Sequence, residues 1–418
     1  MYIKRDEYLK KLISSKHNKL IKVITGVRRC GKSFLLNEIF YNYLIESGVR
    51  ENHIIRVSLE TIENKHLRDA LTLNNFIKSQ IKDNNMYYII LDEIQLVDEF
   101  VDLLNGFISI KNFDVYVTGS NSKFLSSDIV TEFRGRGYQI HVSPLSFYEF
   151  YNYKELDFET ALSEYLHYGG LPNIAEMKTP EEKENFLKNL NDTIYLKDII
   201  ERNNVINQKE IGELFSIVAS YIGRLTNPKK LSNSFKSVSN ITLSPNTISK
   251  YLDYFLDSFL ISKSLRYDLK GKKYINTPFK LYFTDLGLRN ARLGFRQYEE
   301  PQLMENLIYN ELIIRGFNVD VGIVEINEKK DGKYIKKQLE IDFVARKGRK
   351  QFYLQSSYII YDSQKHNQEI RPLINVNDSF KKILIVKDKT LIRNDDYGII
   401  TMGLKDFLLN KDILETVY

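Results

Sequence analysis

Cysteine is almost missing from this chain: Cys30 is the only one among 418 residues, which excludes an internal disulfide. The six histidines show no paired ligand spacing, so a structural zinc site has no support. Both absences suit a reducing cytoplasm. Long apolar runs are missing too. Met1-Tyr2-Ile3-Lys4-Arg5-Asp6-Glu7 is charged from the outset and leads into no signal-like segment, and no later run has the length of a membrane span. A soluble, cytoplasmic protein is expected. No repeat, low-complexity linker or charge block interrupts the chain.

What is present is globular in composition, with 43% hydrophobic and 27% charged residues. A length of 418 residues exceeds one ordinary core and points to two or three domains. The formal charge of +6 is a mild basic excess. It permits a nucleic-acid surface without requiring one, because a solvated lysine-rich face gives the same totals.

The stretch Val23-Ile24-Thr25-Gly26-Val27-Arg28-Arg29-Cys30-Gly31-Lys32-Ser33 matches G-x-x-x-x-G-K-[ST] in full. A β-branched strand precedes it and the apolar helical run Phe34, Leu35, Leu36, Ile39 follows, as a phosphate-binding loop requires. Glycines let the backbone wrap a phosphate chain, and the N–H groups opening the helix face the anion. Gly26, Val27, Arg28, Arg29, Cys30, Gly31, Lys32, Ser33 and Phe34 are therefore the candidate nucleotide cradle. Lys32 would reach the β- and γ-phosphates, and Ser33 would join the shell of a Mg²⁺ ion. A surface turn with the same letters is the alternative.

Leu20 to Ile24, Ile54 to Leu59, Met86 to Leu91, Asp114 to Thr118 and Gln139 to Val142 read as strands, with helices predicted between them. The third strand is apolar and ends in Asp92-Glu93, at the carboxyl edge where α/β sheets bind ligands. Asp92 would hold the Mg²⁺ water shell, and Glu93 would orient and deprotonate an attacking water. Two acids there also suit a helix cap.

The fourth strand ends in Gly119-Ser120-Asn121-Ser122, where Ser120 or Asn121 is the candidate γ-phosphate sensor; a plain helix-capping turn is the alternative. Arg134 and Arg136 lie in the turn Phe133-Arg134-Gly135-Arg136-Gly137-Tyr138. An arginine completing a neighbouring subunit's site needs such a place, and so does ordinary surface pairing. Cys30, beside Arg28, Arg29 and a helix start, favours a thiolate, with a buried inert thiol as the alternative.

Together, Gly-Val-Arg-Arg-Cys-Gly-Lys-Ser, Leu-Asp-Glu-Ile-Gln, Thr-Gly-Ser-Asn-Ser and Pro144-Leu145-Ser146-Phe147-Tyr148-Glu149-Phe150 look like one family. The chain resembles the bacterial and archaeal AAA+ ATPases that carry a C-terminal domain of unassigned function, related to origin-recognition and STAND-type ATPases. Tyr168-Gly169-Gly170-Leu171-Pro172 is similar to that group's lid signature, which implies Pro172 near the adenine.

The fold class expected is α/β: a P-loop AAA+ core with a parallel sheet over residues 1–150 and a helical lid over 151–205. A winged helix over 206–290 and a restriction-endonuclease-like domain over 291–418 complete it. The winged helix has its own basis in the residues, three helices and a hairpin turning at Lys270-Gly271-Lys272-Lys273. Lys250, Lys263, Arg266, Lys270, Lys272 and Lys273 could line up along phosphates there; protein contact is the other use of such a module.

In the last domain, Glu340 and Asp342 are two apart on a strand and share a face, and Glu305 could join them at a metal. Where the resemblance expects an acid and a lysine, the chain has Gln355 and Ser357, so a catalytically degenerate scaffold is expected, with Lys365 as a conceivable substitute. The functional expectation is an oligomeric ATPase using ATP and Mg²⁺ on DNA or a nucleoprotein partner. The alternatives are a slow STAND-like switch controlling protein assembly and an ATP-gated metal-dependent nuclease.

Overall fold

A computed structural model describes residues 2–119, 133, 135–330 and 333–417. The chain divides into two compact units, Met1–Pro144 with Asp257–Phe259, and Leu145–Leu256 with Leu260–Tyr418.

The first unit is built on strands β1 (Ile21–Thr25), β2 (Ile54–Ser58), β3 (Tyr87–Asp92), β4 (Phe113–Thr118) and β5 (Gly137–His141). They form one parallel sheet in the order β2-β3-β4-β1-β5. Every residue of β1 and β3 is buried, because a parallel sheet is covered on both faces, and β3 accordingly reads as an apolar run up to Asp92. On one face Val23, Ile89, Leu91, Val115 and Val117 pack with Leu73, Ile77, Leu104 and Phe107 from the helices Ala70–Gln80 and Phe100–Ile108. Fully burying each such aliphatic side chain is worth about 1.5–3 kcal/mol. The helix after the loop runs from Lys32 to Glu46 with a wider middle at Leu35–Phe40. Its Phe40 ring lies 4.7 Å from Tyr116 of β4.

The strand order also places the polar ends: β4 sits between β1 and β3, so its carboxyl end separates the loop from the two acids. Beneath, Lys22 of β1 is fully buried and pairs with Asp114 of β4, which also accepts from Tyr116 Oη–H at 2.8 Å. Burial pulls the Lys22 ammonium below its ordinary range, against the opposing pull of Asp114.

The second unit begins with helices Phe147–Lys154, Phe158–Tyr168, Pro172–Glu176 and Pro180–Asn189, the first with Ser146 and Glu149 forming a capping box. Gly169 and Gly170 accommodate a buried carboxylate: Asp285 Oδ2 accepts the Gly170 N–H at 2.8 Å, and a Cβ on Gly169 would lie 2.2 Å from Asp285 Oδ1. Asp285 also caps the helix Leu286–Arg292. Three helices follow, Gln208–Ser220, Pro228–Ser239 and Pro245–Asp257, with Asn227 and Ser244 bonding the open N–H groups of the last two.

Strands β6 (Ile261–Asp268) and β7 (Lys273–Phe283) form the expected hairpin, but it does not stand alone. β6 pairs in parallel with β8 (Asn318–Lys330), Arg266 to Asp268 opposite Val321 to Ile323. The hairpin thus belongs to an eight-stranded mixed sheet, order β12-β13-β11-β10-β9-β8-β6-β7, with β9 (Lys333–Lys347), β10 (Lys350–Ser357), β11 (Lys381–Val386), β12 (Arg393–Asn394) and β13 (Ile399–Gly403). No break in this sheet falls near residue 290. A two-stranded hairpin is marginal alone, and β8 supplies a third strand to its open edge.

Candidate nucleotide-binding site

The loop Gly26–Ser33 connects the carboxyl end of β1 to its helix with three residues in the left-handed region, Gly26 at φ 144°, Arg29 at 67° and Gly31 at 95°. At Gly26 no side chain is possible, because a Cβ would lie 2.1 Å from the Val142 carbonyl oxygen. The loop closes on Lys32, which is 5% exposed and donates to the carbonyls of Gly26 at 3.0 Å and Val27 at 3.2 Å. Its ammonium therefore lies inside the curve of the loop.

Ser33 Oγ–H donates to Asp92 Oδ1 at 2.9 Å, joining the helix start to the end of β3. Thr118 Oγ–H donates to the same Asp92 oxygen, while Thr118 Oγ accepts the Glu93 N–H at 2.9 Å. One buried hydroxyl at the end of β4 thus ties both acids together. Burial raises the Asp92 carboxyl above the ordinary range, and the bonds from Thr118 and Ser33 pull it back. Glu93 adopts φ 57°, a left-handed backbone costing a non-glycine residue about 1–3 kcal/mol, and so turns its half-buried side chain out of the strand direction. Gln95 Nε2 donates to its carboxylate. A hydroxyl, two carboxylates and an ammonium at one sheet edge suit a phosphate chain with a hard cation.

Lys32, Ser33, Asp92 and Glu93 are thus gathered at one sheet edge. Arg28 is half-exposed with Glu60 at 3.6 Å, and Arg29 and Phe34 are exposed. Cys30 is buried and its Sγ–H donates to the Val142 carbonyl at 3.2 Å, so its sulfur is packed under the loop rather than presented at the surface. Ser120, Asn121 and Arg134 lie outside the described residues. Arg136 is exposed, and its carbonyl accepts the Ile21 N–H where β1 begins. Pro172 belongs to the second unit, where it opens the short helix Pro172–Glu176.

Two residues were missed by sequence reasoning. Thr118 is the first. His141, at the end of β5, is the second: it lies 3.3 Å from Thr25 Oγ1, and burial followed by the nearby Lys32 and Lys11 ammonium groups pushes it down to about 4. It stays neutral and adds no charge beside the loop.

In the second unit, Glu305, Glu340 and Asp342 do come together, around the Lys280 ammonium. Lys365 pairs with Glu369 on its own helix. Arg266 is 9% exposed and donates to Gln338 Oε1 at 2.6 Å, so, unlike the exposed Lys250, Lys263, Lys270, Lys272 and Lys273, it is not presented at the surface.

A family model described as an AAA domain matches residues 18–151, the stretch that holds the loop, all five strands of the first sheet and both acids. An uncharacterized protein of Haemophilus influenzae is 35% identical over 413 residues, covering 97% of this chain and 98% of that one. The chain belongs to the AAA+ ATPase family. A second family model, for a domain of unknown function, covers residues 159–299 of this AAA+ protein. An uncharacterized protein of Methanocaldococcus jannaschii is 31% identical over 377 residues, with 86% of this chain and 78% of that one covered. Among solved structures, the Aeropyrum pernix ORC1 protein in complex with DNA matches at 12% identity and a TM-score of 0.28, covering 70% of this chain and 93% of that one. The AAA+ fold implies a nucleotide-binding domain. Among the described residues no helix is long and apolar enough to cross a membrane.

Proposed function

We propose that the chain binds ATP at Gly26–Ser33 and hydrolyses it to ADP and phosphate with Mg²⁺. The supporting observation is the convergence of Ser33 and Thr118 on Asp92 Oδ1, with Glu93 next in sequence and hydrogen-bonded to the same Thr118 hydroxyl. The residues fit the metal: a hydroxyl and a carboxylate are hard oxygen donors of the kind that hold Mg²⁺ beside a triphosphate. Bound Mg²⁺ would neutralise charge on the β- and γ-phosphate oxygens. Lys32 would exchange its two loop carbonyls for phosphate oxygens, and the backbone N–H groups from Gly31 onward would face the anion. Glu93 would accept a proton from the attacking water, once its carboxylate is released by Gln95.

The remaining assignments extend this reading. Ser120 or Asn121 would sense the γ-phosphate, and Arg134 or the exposed Arg136 would complete the site of a neighbouring subunit in a homo-oligomer. The exposed Lys250, Lys263, Lys270, Lys272 and Lys273 give the second unit a basic surface for DNA or a nucleoprotein partner. The hydrogen bond from Gln95 onto Glu93 favours a second reading, a slow nucleotide-dependent switch in which the base is held off the water.

Glu93→Gln tests the core of the proposal. It should retain ATP, measured by calorimetry, and lose turnover by about 10²–10⁴-fold, because only the base is removed. Near-wild-type hydrolysis in that variant would end the assignment of Glu93, and absence of magnesium-nucleotide uptake by folded wild type would end the whole reading. Turnover stimulated by DNA separates the motor-like reading from the switch, which predicts tight retention with negligible turnover.

A further inference from the structure

The resemblance of the last domain to nucleases brings with it a divalent metal held by carboxylates. The acids are present: Glu305 on the helix Glu300–Ile314, and Glu340 and Asp342 two apart on β9. They surround a group the sequence did not connect with them. Lys280, from the buried end of β7, places Nζ 2.7 Å from Glu305 Oε1, 2.7 Å from Glu340 Oε1 and 3.2 Å from Asp342 Oδ1. Its side chain is 2% exposed. The ammonium donates hydrogen bonds to Glu305 and Asp342 and pairs by charge with Glu340.

The donor set does not fit a metal. A divalent ion among these oxygens would share them with a positive charge buried in their midst, since Lys280 is 2% exposed in the buried end of β7. Further capacity of the acids is also used. Asp342 Oδ2 accepts the Ser356 N–H at 2.9 Å and its hydroxyl at 3.2 Å, and Glu305 Oε1 accepts the Tyr282 hydroxyl at 2.7 Å. Gln355, standing where the resemblance expects an acid, has its Oε1 3.3 Å from the Asp342 N–H, which it accepts. Among the described residues, no group of three or more His, Cys, Asp and Glu is arranged to hold a metal ion.

We propose that Lys280 is the resident cation of this cluster: its ammonium stands where a divalent metal would stand, closing the site to metal and clamping β7, β9 and the helix Glu300–Ile314 together. Burial alone would strip a proton from Lys280, but Glu305, Tyr282, Asp342 and Glu340 around it hold the ammonium well above the ordinary lysine range. No phosphodiester cleavage then runs through these acids, and the cluster is an internal electrostatic fastening. The proposal goes beyond the ATPase reading and does not depend on it.

Mn²⁺ titration of the full chain without nucleotide tests this, read by electron paramagnetic resonance and by thermal unfolding. Wild type should bind no Mn²⁺ that Asp342→Asn removes, and Mn²⁺ should leave its unfolding temperature unshifted. Lys280→Ala, folded but less heat-resistant, should gain one Mn²⁺ per chain and be stabilised by it, with both effects lost in the Lys280→Ala, Asp342→Asn double variant. Mn²⁺ bound by wild type and lost in Asp342→Asn overturns the proposal, and so does a folded Lys280→Ala indifferent to Mn²⁺. Should Lys280→Ala fail to fold, the comparison of wild type with Asp342→Asn decides alone.

Discussion

Thr118→Val is the sharpest perturbation of the nucleotide site, because valine keeps the shape of threonine and removes only the hydroxyl. That hydroxyl is fully buried and makes two bonds, donating to Asp92 Oδ1 and accepting the Glu93 N–H at 2.9 Å. Loss of a hydrogen bond to a charged group costs about 1.5–3 kcal/mol, and a buried N–H left without a partner about 1–3 kcal/mol. Asp92 keeps its bond from Ser33, and Glu93 is half-buried, so water can reach part of what is exposed. A net loss of about 2–4 kcal/mol is expected from these figures, with no cavity contribution.

The effect on function should exceed the effect on stability. The left-handed turn at Glu93 is anchored by that N–H, and a misplacement of about 1 Å in a reacting group costs about 10²-fold in rate. Urea unfolding, together with hydrogen exchange at the β3 and β4 amides, reads the first quantity, and steady-state ATP turnover the second. Thr118→Ser, which restores the hydroxyl, should recover most of both. A Thr118→Val protein within about 0.5 kcal/mol of wild type and turning over as fast as Thr118→Ser would refute the role given to this residue.

Neighbouring features carry their own expected outcomes. Asp114→Ala leaves the Lys22 ammonium buried without its partner and should cost about 3–5 kcal/mol by denaturant titration. Gly287→Ala should be strongly destabilising or fail to express in folded form, since its Cβ would lie 1.9 Å from the Tyr168 carbonyl oxygen. Burial lifts Asp285 to about 6 from the ordinary aspartate value of 3.8, against the backbone N–H groups that it accepts. A raised acid favours folding fully below about pH 4 and loses that contribution as pH rises through 6, on the order of 2–3 kcal/mol. Asp285→Asn should flatten that slope in stability measured between those limits. Cys30, buried and donating to Val142, should resist alkylation in the native protein and react only on unfolding, which a thiol-accessibility time course checks.

The middle of the first sheet was legible because β1, β3 and β4 are almost wholly buried and rich in β-branched and aromatic residues, so these strands fall within a residue or two of their predicted places. Lys32, Ser33, Asp92 and Glu93 were legible from motif and strand end. Thr118 was not, since a threonine at the end of a strand reads as an ordinary β-former. Its role depends on β4 lying between β1 and β3, an order that no local pattern encodes.

The same limit applies to Lys280, which sits in the run Phe279-Lys280-Leu281-Tyr282-Phe283 and acquires its partners from a helix and a strand far along the chain. Arg266 reads from sequence as a companion of the surface lysines, yet the irregularity between Ser264 and Arg266 shifts the alternation of β6, and the side chain meets Gln338 on β9. The paired glycines at 169 and 170 carried a family resemblance in the sequence. Their local necessity comes from the Asp285 carboxylate, more than a hundred residues downstream.

Because the β6–β7 hairpin is stitched to β8, the C-terminal third of the molecule is no detachable module. A fragment starting near residue 290 would bare the backbone groups of Val321 to Ile323 as a sticky margin and strand Glu305, Glu340 and Asp342 without their counter-charge. Anyone trimming this protein for separate study would have to cut upstream of Leu145, since Asp285 is also tied to Gly170.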